Sequence, residues 1–194
     1  VKLIRSSALA LATVVAVLVP TAAEANSWSH ADGTGDVYTA PATSTAPTPA
    51  PTRTVGDVVG STIRHKRRAV VLQLRYLDLQ ANSEFNTHVF VIRTPSMRRV
   101  VTLVGNATFP GGRVRMTKPT RPKKAIACRI AHRIDYTAKT ATVVVPRSCL
   151  GKPRWVQVAM AGMSFTGFTS SDTMWIDDAL SNGTSGIYSP RIFR

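Results

Sequence analysis

Acidic residues are scarce in this chain: ten Asp and Glu stand against 25 Lys and Arg, a formal charge of +15. Cysteine is scarcer, with only Cys128 and Cys149. That pair forms no C-x-x-C and has no histidine cluster beside it, which argues against structural zinc and dithiol redox chemistry. The histidines His30, His65, His88 and His132 make neither H-x-H nor H-E-x-x-H, so zinc hydrolysis lacks its ligands. His132 falls on the apolar face of its stretch and reads as a core or rim residue rather than a base. The serine elbow G-x-S-x-G is missing; the nearest stretch, Gly162 to Gly167, is one residue too long. No phosphate-binding loop occurs, since Pro110-Gly111-Gly112-Arg113 reads as a turn. Asp177 and Asp178 are adjacent and would point to opposite faces of a strand, a poor start for a glycosidase pair. Aromatics make up 7% of the chain and no basic helix or finger spacing is present, which argues against nucleic acid as a partner.

Long apolar runs are missing too. The stretch Ala8 to Val19 is uninterrupted but falls short of the roughly 18 to 20 residues that span hydrocarbon, so the chain is not expected to be transmembrane. Lys2 and Arg5 precede this stretch, Pro20 ends it, and Ala23-Glu24-Ala25 offers an A-x-A cleavage site. Residues 1–25 are therefore expected to be a secretory signal peptide, with the mature protein extracellular. The leading Val fits a bacterial gene with a GTG start.

Secretion places the two cysteines where a pair closes. Between them Ile126, Cys128, Ile130, His132, Ile134 and Tyr136 alternate with polar residues, the period of a half-buried strand. A second run, ATVVVPRSC, follows a tip at Thr137 to Thr140. Residues facing each other across a hairpin have a constant index sum. Cys128 with Cys149, Ile134 with Val143 and His132 with Val145 all share one sum. A cross-strand disulfide between Cys128 and Cys149 is the expected staple, stabilising by ~3 kcal/mol in the chain-entropy model.

Downstream of Val55 one strand follows another: Asp57 to His65, Ala69 to Leu79, Thr87 to Thr94, Arg99 to Asn106, Arg113 to Lys118 and Arg154 to Met163. Turn signals separate them, and the only helical hint is a short turn near Asp177 to Ser181. The fold class expected is all-β, a single antiparallel β-sandwich of jelly-roll or immunoglobulin-like type. Residues 55–194 would form it. Residues 26–54 read as an extended segment ending in a Pro/Thr-rich strap or linker, YTAPATSTAPTPAPTRT.

Charge is distributed unevenly. Residues 53–154 carry 21 of the basic residues but only Asp57, Asp78, Glu84 and Asp135 as acids. Such a middle attracts polyanions, and outside a cell these would be anionic cell-wall polymers or polysaccharide. The remaining acids sit at the ends. Asp32-Gly33-Thr34-Gly35-Asp36 places two carboxylates in a glycine-rich loop, an arrangement suited to calcium. Asp177 or Asp178 would complete the shell if the ends of the domain meet. Asp32, Asp36 and Asp177 are thus the metal candidates, and structural calcium is the one cofactor considered.

The D-x-x-G-D-V stretch (Asp32 to Val37), a second Gly-Asp-Val (Gly56 to Val58), His65, the run P-R-S-C-L-G-x-P-x-W-V (Pro146 to Val156) and Pro190-Arg191 resemble uncharacterised secreted actinobacterial β-sandwich proteins. The doubled Gly-Asp start is similar to DOMON-like and carbohydrate-binding modules. These resemblances imply a sandwich scaffold and no particular activity. The reading expected is a secreted, non-enzymatic protein of the cell envelope, binding polyanions or carbohydrate through its basic surface. Trp155 and Tyr76 would be sugar-stacking platforms if exposed. The alternative is a secreted hydrolase whose active site carries no recognisable motif.

Overall fold

The computed structural model describes residues 26–44, 46–169 and 171–194, and the expected signal peptide lies outside them. The strands are β1 (Ser27–Ala31), β2 (Tyr38–Pro41), β3 (Thr48–Pro49), β4 (Val58–His65), β5 (Ala69–Tyr76), β6 (Phe85–Arg93) and β7 (Arg98–Gly105). Then come β8 (Arg113–Lys118), β9 (Arg121–Ala125), β10 (Ala131–Asp135), β11 (Thr140–Pro146), β12 (Trp155–Phe165), β13 (Thr173–Asp178) and β14 (Ile192–Phe193). A single 3-10 turn covers Arg147–Leu150, and no α-helix occurs among the described residues. None of the described helices is long and apolar enough to cross a membrane.

Two antiparallel sheets form the sandwich. One has the order β1-β4-β5-β11-β10; the other runs β3-β2-β13-β12-β6-β7-β8-β9, with β14 pairing the start of β12. Period-two alternation explains the burial. Along β5, Val70, Leu72, Leu74 and Tyr76 are buried, while Arg75 is exposed. The facing sheet contributes Phe90 and Ile92 from β6, Val101 and Leu103 from β7, and Val156, Val158 and Met160 from β12. Each side chain of this size contributes roughly 1.5–3 kcal/mol when fully buried, so this shared layer holds the sheets face to face.

The N-terminal segment is woven into both sheets. β1 pairs β4, with Ala31 opposite Gly60, and β2 pairs β13, with Tyr38 opposite Ile176. Residues 32–37 therefore cross from one sheet to the other at the end of the sandwich. The Pro/Thr-rich stretch supplies β2 and the two-residue β3, which sits at the sheet edge. Proline is tolerated there because an edge strand leaves N–H positions unpaired.

Cys128 and Cys149 form the disulfide, with Cα atoms 6.0 Å apart. Its setting differs from the expected cross-strand staple. Ile134 pairs Ala141 and His132 pairs Val143, a register shifted by two residues. Parity is unchanged, so Ile134, Val143 and Val145 still face inward, while His132 is exposed. The shift arises at the tip: Asp135 Oδ1 accepts the Ala138 N–H at 2.8 Å, and Lys139 adopts φ 53°. That closes the turn one residue earlier, over Tyr136 to Lys139. Cys128 precedes β10, and Cys149 lies in the 3-10 turn beyond β11. A 3-10 segment advances about 2.0 Å per residue rather than the ~3.3 Å of a strand. This brings Cys149 back beside Cys128 despite the altered register. The bond clamps the mouth of the hairpin outside its ladder.

The stretch expected as one strand from Ile126 to Tyr136 is also shorter: only Ala131–Asp135 (β10) is strand, and residues 126–130 cross from β9, which pairs β8 in the larger sheet, to β10, which pairs β11 in the smaller one.

Candidate functional site

Five aspartates converge where the chain crosses between the sheets. Asp32 and Asp36 lie in the β1–β2 crossing, Asp57 immediately precedes β4, and Asp177 and Asp178 end β13. Pairing of β1 with β4 and of β2 with β13 forces this convergence. Asp32, Asp36 and Asp177 each offer a carboxylate oxygen, and these oxygens lie within 4.8 Å of one another. Asp177 and Asp57 are 0% and 1% exposed, an extreme setting for an anion.

Backbone donors satisfy part of the group. Gly33 N–H donates to Asp32 Oδ1 at 3.1 Å, Gly35 N–H to Asp57 Oδ2 at 2.9 Å, and Val58 N–H to Asp177 Oδ2 at 2.6 Å. The other oxygens, Asp32 Oδ2, Asp57 Oδ1, Asp177 Oδ1 and both of Asp36, are buried with no partner. Asp178 differs. Its two oxygens accept from Leu180 N–H at 3.0 Å and Gly186 N–H at 2.5 Å, which fixes the loop after β13. Adjacent positions on a strand point oppositely, so one residue enters the cluster and its neighbour caps a turn.

Burial pushes Asp177 up to about 8, helped by the carboxylates of Asp36, Asp32 and Asp57 and opposed by the Val58 N–H. Burial and then Asp36 push Asp32 up to about 7. Asp57 is raised as well, chiefly by burial. No guanidinium or ammonium relieves the group: the ion pairs among the described residues are Arg53–Glu84, Arg133–Asp135 and Lys139–Asp78.

A second feature lies on the outer face of the larger sheet. A groove of about 720 Å³ opens over β7 and β8, lined by Phe85, Val104, Phe109, Arg113, Arg115 and Phe168 among others. Val104 pairs Arg113 and Thr102 pairs Arg115, so small or apolar residues alternate with guanidinium stems across the ladder. Phe168, 69% exposed, packs against Phe85 with centroids 5.0 Å apart and the ring planes inclined at 43°. The Arg113 guanidinium carbon sits 5.1 Å from the Phe109 centroid, a cation–π contact. A second hollow, of about 500 Å³, continues past Pro119 along Arg98, Arg99 and Lys118. Residues 85–134 contain 11 Lys and Arg and no Asp or Glu. β9 is exposed throughout, so Arg121, Lys123 and Lys124 extend the same positive surface.

The groove aromatics were not among the sequence candidates. Phe85, Phe109 and Phe168 belong to three separate segments and share no periodicity that would unite them. The candidates that were named lie elsewhere. Tyr76 is buried at 3% exposure and is a core residue, not a platform. Trp155 is half-buried, with the Arg191 guanidinium carbon 4.6 Å from its ring centroid. His65 is fully buried and its Nδ1 lies 3.0 Å from Ile192 O, joining β4 to β14. Arg147, from the P-R-S-C-L-G run, donates to the carbonyls of Arg67 and Pro153 and braces the turn around the disulfide. Comparison of the chain with protein-family models, with curated proteins and with solved structures gave no match.

Proposed function

We propose that this protein is a secreted, non-enzymatic β-sandwich that binds acidic polysaccharide of the cell envelope through the outer face of β7, β8 and β9. The observation carrying this reading is the groove itself, in which Phe85, Phe109 and Phe168 supply flat apolar surface beside Arg113 and Arg115. Sugar rings bury their C–H faces on aromatic planes. Carboxylate or phosphate substituents pair with guanidinium groups, often through two parallel hydrogen bonds. A small soluble anion would use only part of such a surface. The second hollow along Arg98, Arg99 and Lys118 extends it in the way a polymer requires. Export through the N-terminal leader and closure of the disulfide in an oxidising compartment are consistent with this setting.

Retention on immobilised polygalacturonate, a linear acidic polysaccharide, tests the reading. Wild type should bind at low salt and release as ionic strength passes about 0.15 M, where the Debye length is about 8 Å. The double variant R113E/R115E should flow through at every salt concentration while melting as wild type does. Passage of wild type through the column at low salt contradicts the reading.

A further inference from the structure

We propose that Asp32, Asp36 and Asp177, with Asp57 beside them, bind a calcium ion that pins the β1–β2 crossing to the C-terminal end of β13. Two observations carry this independently of the basic face. The first is geometric. Calcium–oxygen bonds are about 2.4 Å, so two oxygens sharing one ion stand at most about 4.8 Å apart. The oxygens of Asp32, Asp36 and Asp177 meet that limit mutually.

The second is the state of the buried carboxylates. Asp177 is fully buried, one oxygen is held by Val58 N–H, and the other has no partner. The same division holds at Asp57, where Gly35 N–H takes Oδ2 and Oδ1 is left free. Asp36 has both oxygens free. Backbone donors thus orient each of Asp32, Asp57 and Asp177 through one oxygen and leave its other oxygen open. An unpartnered buried carboxylate is costly, and several side by side are costlier because like charges repel. A cation removes both penalties at once. The chain has many cations of its own, yet its ion pairs among the described residues leave these carboxylates aside.

The donor set selects the ion. It is all oxygen, with no His or Cys in the group, which favours a hard cation over zinc. Asp32 and Asp36 hang on a loop containing Gly33 and Gly35, the latter at φ 76°. A loop of this kind accommodates the irregular six- to eight-fold shell of calcium more readily than the strict octahedron of magnesium. Asn182 Oδ1 lies close to the same loop, 3.7 Å from where a Cβ on Gly33 would stand, and is within reach as a further oxygen.

Isothermal titration of the exported protein with CaCl₂, after chelator treatment, reads this directly. One ion should bind per chain. The melting temperature should rise by roughly 5 to 10 °C at free calcium about 100-fold above Kd, and return when chelator is added. Magnesium at the same concentration should produce a smaller shift. Asp36→Asn removes one charge without breaking a hydrogen bond, so its metal-free melting temperature should equal or exceed that of wild type. Its calcium affinity should fall at least tenfold, with retention on the acidic polysaccharide unchanged. Absence of both binding heat and melting shift in wild type at millimolar calcium overturns the proposal. So does wild-type affinity in Asp36→Asn, or a magnesium response equal to that of calcium.

Discussion

Tyr76, from the smaller sheet, and His88, from the larger one, meet across the core with the hydroxyl and Nδ1 2.5 Å apart. Both are buried, at 3% and 1% exposure, and this hydrogen bond joins the two layers inside the core. Tyr76→Phe keeps the ring and removes the hydroxyl. It leaves His88 Nδ1 without a partner, and Nε2 is already unpaired. The expected loss is about 1–3 kcal/mol, read as a lower urea midpoint with an unchanged m value. Wild-type stability in this variant would show that the bond contributes nothing.

Acid should weaken the same junction. Burial lowers the His88 pKa from 6.5 to about 3, so the folded state holds it neutral where the unfolded chain protonates it. Between pH 6.5 and about 3 the unfolded state binds the extra proton. The contribution of neutral His88 is therefore complete above 6.5 and is lost as pH falls through this window. The facing groups are Tyr76 and, beyond it, Asp177. Because the carboxylates titrate in both proteins, the informative quantity is the difference between wild type and His88→Gln. Urea titrations from pH 7 to 4 should show that difference shifting against wild type by about 1.4 kcal/mol per pH unit below 6.5. A constant difference would place the histidine in a solvated site.

Gly162 makes room for this arrangement. Its register partners are His88 on one side and Asp177 on the other. A Cβ there would stand 2.8 Å from Tyr76 Cε1 and 3.0 Å from Val58 Cγ2. Gly162→Ala should therefore cost about 1–3 kcal/mol through overpacking. The Tyr76 ring should move away from His88, visible as a changed near-ultraviolet circular dichroism spectrum. Unchanged melting and an unchanged spectrum would contradict the close packing.

Removal of the disulfide acts on the unfolded state. Cys128 and Cys149 are separated by 21 positions, and opening that loop costs about 3 kcal/mol. Calorimetry of C128S/C149S should show a melting temperature lower by roughly 6 to 12 °C for a domain of this size. A shift under a degree would mean that the hairpin holds its shape without the clamp.

The sheet class was legible because Leu72 to Tyr76 and Val101 to Leu103 alternate apolar with other residues at period two, and turn signals separate the apolar runs. The cysteine pairing was legible because the chain has only two cysteines, one on each side of a hairpin tip. The register itself was not: it depends on Asp135 capturing the Ala138 N–H, a side-chain event without a strong turn signature. The hint of a turn near Asp177 to Ser181 corresponds to the turn at Ala179 and Leu180, but the strand before it, Thr173–Asp178, was not anticipated. Its residues alternate poorly, since Met174, Trp175 and Ile176 are all half-buried between neighbouring strands. Missing β13 also hid why the ends of the domain meet. The aspartates at Asp32, Asp36 and Asp177 stood out because acids are rare here. Which of Asp177 and Asp178 faces the crossing loop follows from strand pairing alone. The groove left no sequence signal, since its aromatics come together only through folding.

The most direct test of the binding reading is amide chemical-shift mapping of the labelled protein titrated with a polygalacturonate oligosaccharide. Shifts should concentrate on β7, β8, β9 and the Phe168 turn, and should vanish in R113E/R115E. Shifts confined to another face, or none at low salt, would contradict it.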